Sequence, residues 1–100
     1  MDNLEAIRDI LRQHVGKSNK VTSSQIAKKI NINEDATHPK TRALILKTAK
    51  KYKLPLAANN RGYYLINTKT EYDEYIKNLD SRIAGIEERK KIITDNYKEK

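Results

Sequence analysis

Lys53-Leu54-Pro55-Leu56-Ala57-Ala58-Asn59-Asn60-Arg61-Gly62-Tyr63-Tyr64-Leu65-Ile66 is the stretch on which the fold class turns. Asn59, Asn60 and Gly62 tolerate positive φ, so the four residues 59–62 read as a tight turn. Tyr63-Tyr64-Leu65-Ile66 is rich in strand formers and reads as a return strand paired with residues 53–58. Pro55 lacks a backbone N–H, which places it at the start of the first strand or makes that strand an edge. Tyr63 and Tyr64 point to opposite faces. One belongs to a core, and the other is expected to pack on the element that follows.

Upstream, residues 39–52 read as a helix with Pro39 at its first position and Thr37 or His38 as cap. Thr41, Leu44, Ile45, Thr48 and Tyr52 fall on one side, and Lys40, Ala43, Lys47 and Lys50 on another. Residues 33–38 are polar and irregular. Before them, Ile26, Ala27 and Ile30 mark a short helix capped by Ser23 or Ser24, or by Thr22. Asn31-Ile32-Asn33 closes it, with Ile32 as a buried plug. Val21-Thr22 reads as a short extended stretch, and residues 16–20 as a loop. Leu4, Ile7, Ile10, Leu11 and Val15 recur at helical spacing and predict a first helix over residues 2–15.

Downstream, Thr70-Glu71-Tyr72-Asp73 resembles a capping box with Asp in the position of Glu. Tyr72, Ile76, Leu79, Ile83, Ile86 and Ile93 follow with a 4-3 spacing, Lys90 and Tyr97 completing the heptad stripe. In that frame Ile76, Ile83, Lys90 and Tyr97 take position a, and Tyr72, Leu79, Ile86 and Ile93 take d. Arg82 at g and Glu87 at the next e suit a parallel homodimer. The competing reading packs the first half of this helix on its own domain and frays it after Lys90. Gly85 lies on the outer face. The expected organisation is thus mainly α with a small β-hairpin: a domain over residues 1–68, then a C-terminal helix over residues 69–100.

Charge is unevenly placed. The chain of 100 residues carries a formal net charge of +8. Residues 38–62 contain Lys40, Arg42, Lys47, Lys50, Lys51, Lys53 and Arg61 and no acidic residue, whereas the flanking segments are nearly balanced. A block of one sign is the footprint of a surface that meets a polyanion, or else a solubilising face. With no Cys, no Phe and no Trp, a disulfide framework and a thiolate metal site are excluded, and the core is small. No apolar run reaches membrane-spanning length, and Asp2, Glu5 and Asp9 make the N-terminus unlike a signal peptide. His14 and His38 are the only histidines, no Gly-rich phosphate loop exists, and adjacent Asp73 and Glu74 do not share a helical face. The expectation is a cytoplasmic protein that is no enzyme and needs no metal or cofactor.

The order helix, short strand, helix, helix, hairpin resembles the winged helix-turn-helix family, close to small bacterial and phage modules typified by the biotin-repressor N-terminal domain. Three pieces carry the resemblance over about residues 4–66. They are Thr22-Ser23-Ser24-Gln25-Ile26-Ala27-Lys28-Lys29-Ile30-Asn31-Ile32, Thr41-Arg42-Ala43-Leu44-Ile45, and Leu54 to Leu65 with its Gly62-Tyr63 return. The eight residues between Ile32 and Thr41 make a longer turn than the family usually has.

The resemblance implies double-stranded DNA as partner, with residues 39–52 in the major groove. Lys40, Lys47, Lys50 and Lys51 suit phosphates, and Arg42 suits a base edge, a phosphate or an internal ion pair. Asn60 and Arg61 at the wing tip suit a phosphate or the minor groove. Ser23 and Ser24 can bond a phosphate as well as cap. Two other readings stand beside this one. The module could bind a protein, for instance as a small inhibitor of a nucleic-acid-associated protein, or it could bind RNA or single strands.

Overall fold

A computed structural model describes residues 2–35 and 37–98. The elements are α1 (Asn3–Arg12), α2 (Ser23–Lys29), α3 (Pro39–Tyr52), β1 (Leu56–Asn59), β2 (Gly62–Leu65) and α4 (Lys69–Lys98). The protein is mainly α with one antiparallel hairpin and a long last helix. It divides into two compact units, one ending at Thr68 and one beginning at Lys69.

In the first unit, the Asp2 carboxylate caps α1 by accepting from the Glu5 N–H at 2.8 Å. The helix stops at Arg12, three residues before the end expected from Val15. Backbone pairing takes over there. Leu65 N–H donates to the His14 carbonyl at 2.9 Å and Gly16 N–H to the Leu65 carbonyl at 2.8 Å. Val15 thereby leaves the apolar stripe and is 42% exposed.

Thr22, rather than Ser23 or Ser24, is the cap of α2. Its hydroxyl accepts from the Gln25 N–H at 3.0 Å, and the Gln25 side chain accepts from the Thr22 N–H at 2.9 Å. Asn31 adopts φ 59°. Ile32 N–H then donates to the Ala27 carbonyl at 2.9 Å and Asn31 N–H to Lys28 at 3.3 Å. This paired closure satisfies carbonyls that the last turn leaves open. Ile32 is half-buried.

The hairpin pairs Leu56 with Leu65, Ala57 with Tyr64, Ala58 with Tyr63 and Asn59 with Gly62. Its first strand starts later than the sequence suggests. Lys53 ends α3 in the left-handed region, and Pro55 cannot donate to a ladder. Pairing of Asn59 with Gly62 leaves only Asn60-Arg61 as the loop. The Asn59 side chain accepts from the Arg61 N–H at 2.8 Å and fixes it. The other edge of β2 is also occupied, by Val21 opposite Tyr63 and Val15 opposite Leu65.

Ile7, Leu11, Val21, Ile26, Ile45 and Leu65 form the core cluster. Tyr64 is the buried tyrosine, and Tyr63 packs half-buried against this same cluster. Thr41 and Thr48 are fully buried. The Thr48 hydroxyl donates to the Leu44 carbonyl at 2.7 Å, so its burial leaves no orphaned donor.

In the second unit, α4 begins one residue before Thr70. Thr70 lies inside the first turn and is not a cap, and Lys69 pairs with Asp73 at 2.9 Å. The helix continues through Lys90 to Lys98 without interruption, and none of its residues is buried. No described helix is long and apolar enough to cross a membrane.

Candidate nucleic-acid interface

Helix α3 is held from behind by Thr41, Ile45 and Thr48, all buried. At about 100° per residue, Ala43 and Lys47 then lie within about 20° of the direction opposite Ile45. Lys40 and Lys50 flank them at about 40° on either side. All four are exposed. Measured against the mean direction of Thr41, Ile45 and Thr48, the front centres on Ala43 and Lys50, with Lys47 about 50° to one side, the exposed Leu46 about 50° to the other and Lys40 about 75° away.

Arg42 occupies a different place from the one its chemistry suggests. It sits about 60° from Ile45 and about 95° from the mean direction of the buried Thr41, Ile45 and Thr48. Its guanidinium reaches back to the Thr37 carbonyl at 3.5 Å. It is exposed, but on the flank of the helix. Lys51 also turns away from the front. Its ammonium lies 5.4 Å from the Tyr52 ring centroid, and Arg8 stacks on the same ring at 4.8 Å. The Asp2 carboxylate is held below its ordinary pKa, chiefly by the Glu5 N–H and in part by the charge of Lys51.

Asn60 and Arg61 are exposed at the hairpin tip, where turn chemistry requires Asn59 and Gly62 but not a guanidinium. Ser24 is exposed and Ser23 half-buried in the first turn of α2.

Glu34 has a role that sequence reasoning missed. It lies in the irregular segment before α3, and its carboxylate accepts from the N–H groups of Lys40 at 2.7 Å and Thr41 at 2.8 Å and from the Thr41 hydroxyl. His38 precedes the helix at φ 51° and gives no side-chain cap, so Glu34 substitutes for it. A carboxylate at a helix N-terminus satisfies orphan donors and complements the dipole. The long turn between α2 and α3 is what lets Glu34 reach back.

Partial burial alone would raise the Glu34 pKa, but bonds from the Thr41 hydroxyl, Lys40 N–H and Thr41 N–H, with His38 nearby, leave it lowered. A lowered folded pKa stabilises the protein above the ordinary glutamate range, and the gain is lost as pH falls through the folded value. Glu34→Ala is therefore expected to lower the melting temperature by about 5 °C at neutral pH. The gap from the parent should close as Glu34 protonates in acid. Thermal unfolding followed by circular dichroism across pH checks both.

Among the described residues, no group of acidic and histidine side chains could hold a metal ion. No family model matches the chain, and no characterised protein or solved structure is significantly similar to it.

Proposed function

We propose that the first unit is a winged helix-turn-helix module and that the protein binds double-stranded DNA sequence-specifically, as a small cytoplasmic transcriptional regulator or accessory DNA-binding protein of phage or plasmid type. The observation that carries this reading is the front of α3, where Lys47 and Lys50 stand beside Ala43, with Lys40 at the edge, in a segment without acidic residues. A major-groove helix needs a narrow cationic or polar face and a back fixed to a scaffold. Lysines at the front serve chiefly phosphates. Arg61 braces the flank from the wing tip, where a side chain can enter the minor groove or meet the backbone. Arg42, on the flank and near the start of α3, has one Nη directed at the Thr37 carbonyl and further N–H donors for a phosphate or a base edge. The mechanism is occupancy of the site.

A second reading has one observation in its favour. Leu46 is 69% exposed on the same helix, about 40° from Lys50, and an apolar side chain beside a basic face suits a protein partner. Selection from a pool of random-sequence duplexes separates the two. Enrichment of a common sequence, with duplex outcompeting single strands, is expected. Recovery of an unselected pool would remove sequence-specific recognition, and preference for single strands would move the protein to another class.

A further inference from the structure

We propose that α4 pairs with α4 of a second copy of the chain as a parallel, in-register, two-stranded coiled coil, and that the charges bordering its apolar stripe select that orientation. This inference is independent of DNA binding. Tyr72, Ile83, Ile86 and Ile93 are 51%, 53%, 62% and 61% exposed on one helix. The stripe from Tyr72 to Tyr97 spans about 38 Å at 1.5 Å per residue, long enough for a stable seam. None of its residues is fully buried, whereas packing of an apolar face supplies most helix stability in proteins.

The borders of the stripe identify the occupant. Positions e carry Asp73, Asp80 and Glu87, and positions g carry Arg82 and Arg89. No basic residue stands at e and no acidic residue at g between Tyr72 and Tyr97. In a parallel pair each g faces the next e of the other helix, and in an antiparallel pair e faces e and g faces g. Parallel pairing sets Arg82 against Glu87 of the second copy, twice by symmetry, and Tyr75 against Asp80, where a phenol can donate to a carboxylate. It opposes no like charges. Antiparallel pairing sets acid against acid along one border and arginine against arginine along the other. Another in-chain pair of α4, Lys91 with Asp95 at 3.2 Å, lies at b and f on the outer face.

Number follows from Lys90. At an a position, its ammonium can leave a two-stranded seam along its own stem and reach water. A three-stranded core encloses that position more fully, and a single polar a residue is a device for fixing register and oligomer state.

The test uses the full chain. Light scattering over a wide range of concentration is expected to give twice the mass of one chain. A monomer throughout, or a trimer or larger species, would overturn the proposal. Orientation is read with Tyr72→Cys and Tyr97→Cys, which are clean probes because the chain has no cysteine. In a glutathione redox buffer, each variant alone is expected to form a covalent dimer. A disulfide that forms only when the two variants are mixed would show the antiparallel pair and overturn the stated orientation.

Discussion

Exchanging Lys47 and Lys50 together for Glu is expected to weaken binding to duplex DNA by about a hundredfold or more at moderate salt. These two lysines lie on the front of α3 within about 60° of one another, so both can meet phosphates in one docking. The exchange removes two cations and adds two anions that DNA repels. Neither side chain touches the core, since both are exposed, and the melting temperature should barely change. The control is an equal exchange of Lys77 and Lys98 on the outer face of α4. It alters net charge identically and should shift affinity by less than about fivefold. Fluorescence anisotropy with a labelled duplex reads both. Equal losses from the two double variants would mean that overall charge, not the face of α3, governs binding.

The largest effect on stability is expected from a single methyl group. Gly62 has φ +144°, and a Cβ there would lie 2.7 Å from the Val21 carbonyl oxygen and 3.0 Å from its carbon. Both are backbone atoms and cannot rotate aside. The same carbonyl accepts the Tyr63 N–H at 2.7 Å, and Val21 N–H donates to Tyr63 at 2.8 Å. Relief of the clash therefore separates the segment before α2 from the hairpin. Gly62→Ala should cost about 2–4 kcal/mol, a melting temperature about 10 °C lower or more. Gly85→Ala provides the contrast, because a Cβ at Gly85 meets nothing within 4 Å. It should be neutral or stabilising, through helix propensity. Calorimetry on both variants checks the pair, and an unchanged transition in Gly62→Ala would refute the close approach.

Local chemistry explains which features could be read from the sequence. The apolar spacing of Ile7 and Leu11, the run of hydroxyl caps at residues 22–24, Pro39 at a helix start and Asn-Arg-Gly before two tyrosines each act within a few residues. These signals locate α1, α2, α3 and the hairpin. The misread end of α1 and the missed role of Glu34 depend on tertiary contacts that spacing does not encode. The helical spacing continues to Val15, yet the chain leaves the helix because Leu65, fifty residues on, binds the backbone at His14 and Gly16. Glu34 stands in a polar segment without periodicity, and its role exists only once α3 has turned its N-terminus toward it. Arg42 is a different case. Its spacing from Thr41, Ile45 and Thr48 places it on the flank of α3, about 95° from the core-facing direction, whatever its guanidinium could bind.

Whether the acid-free, lysine-bearing face of α3 is a nucleic-acid surface is decided by binding to random-sequence duplex DNA across a salt series. If Lys40, Lys47, Lys50 and Arg61 each displace a counterion, log K should fall with log salt at a slope of about −3 to −4. Lys47→Glu with Lys50→Glu should flatten that slope by about 2. A slope near zero, or no binding even at low salt, would contradict that role and leave the basic face to a protein partner.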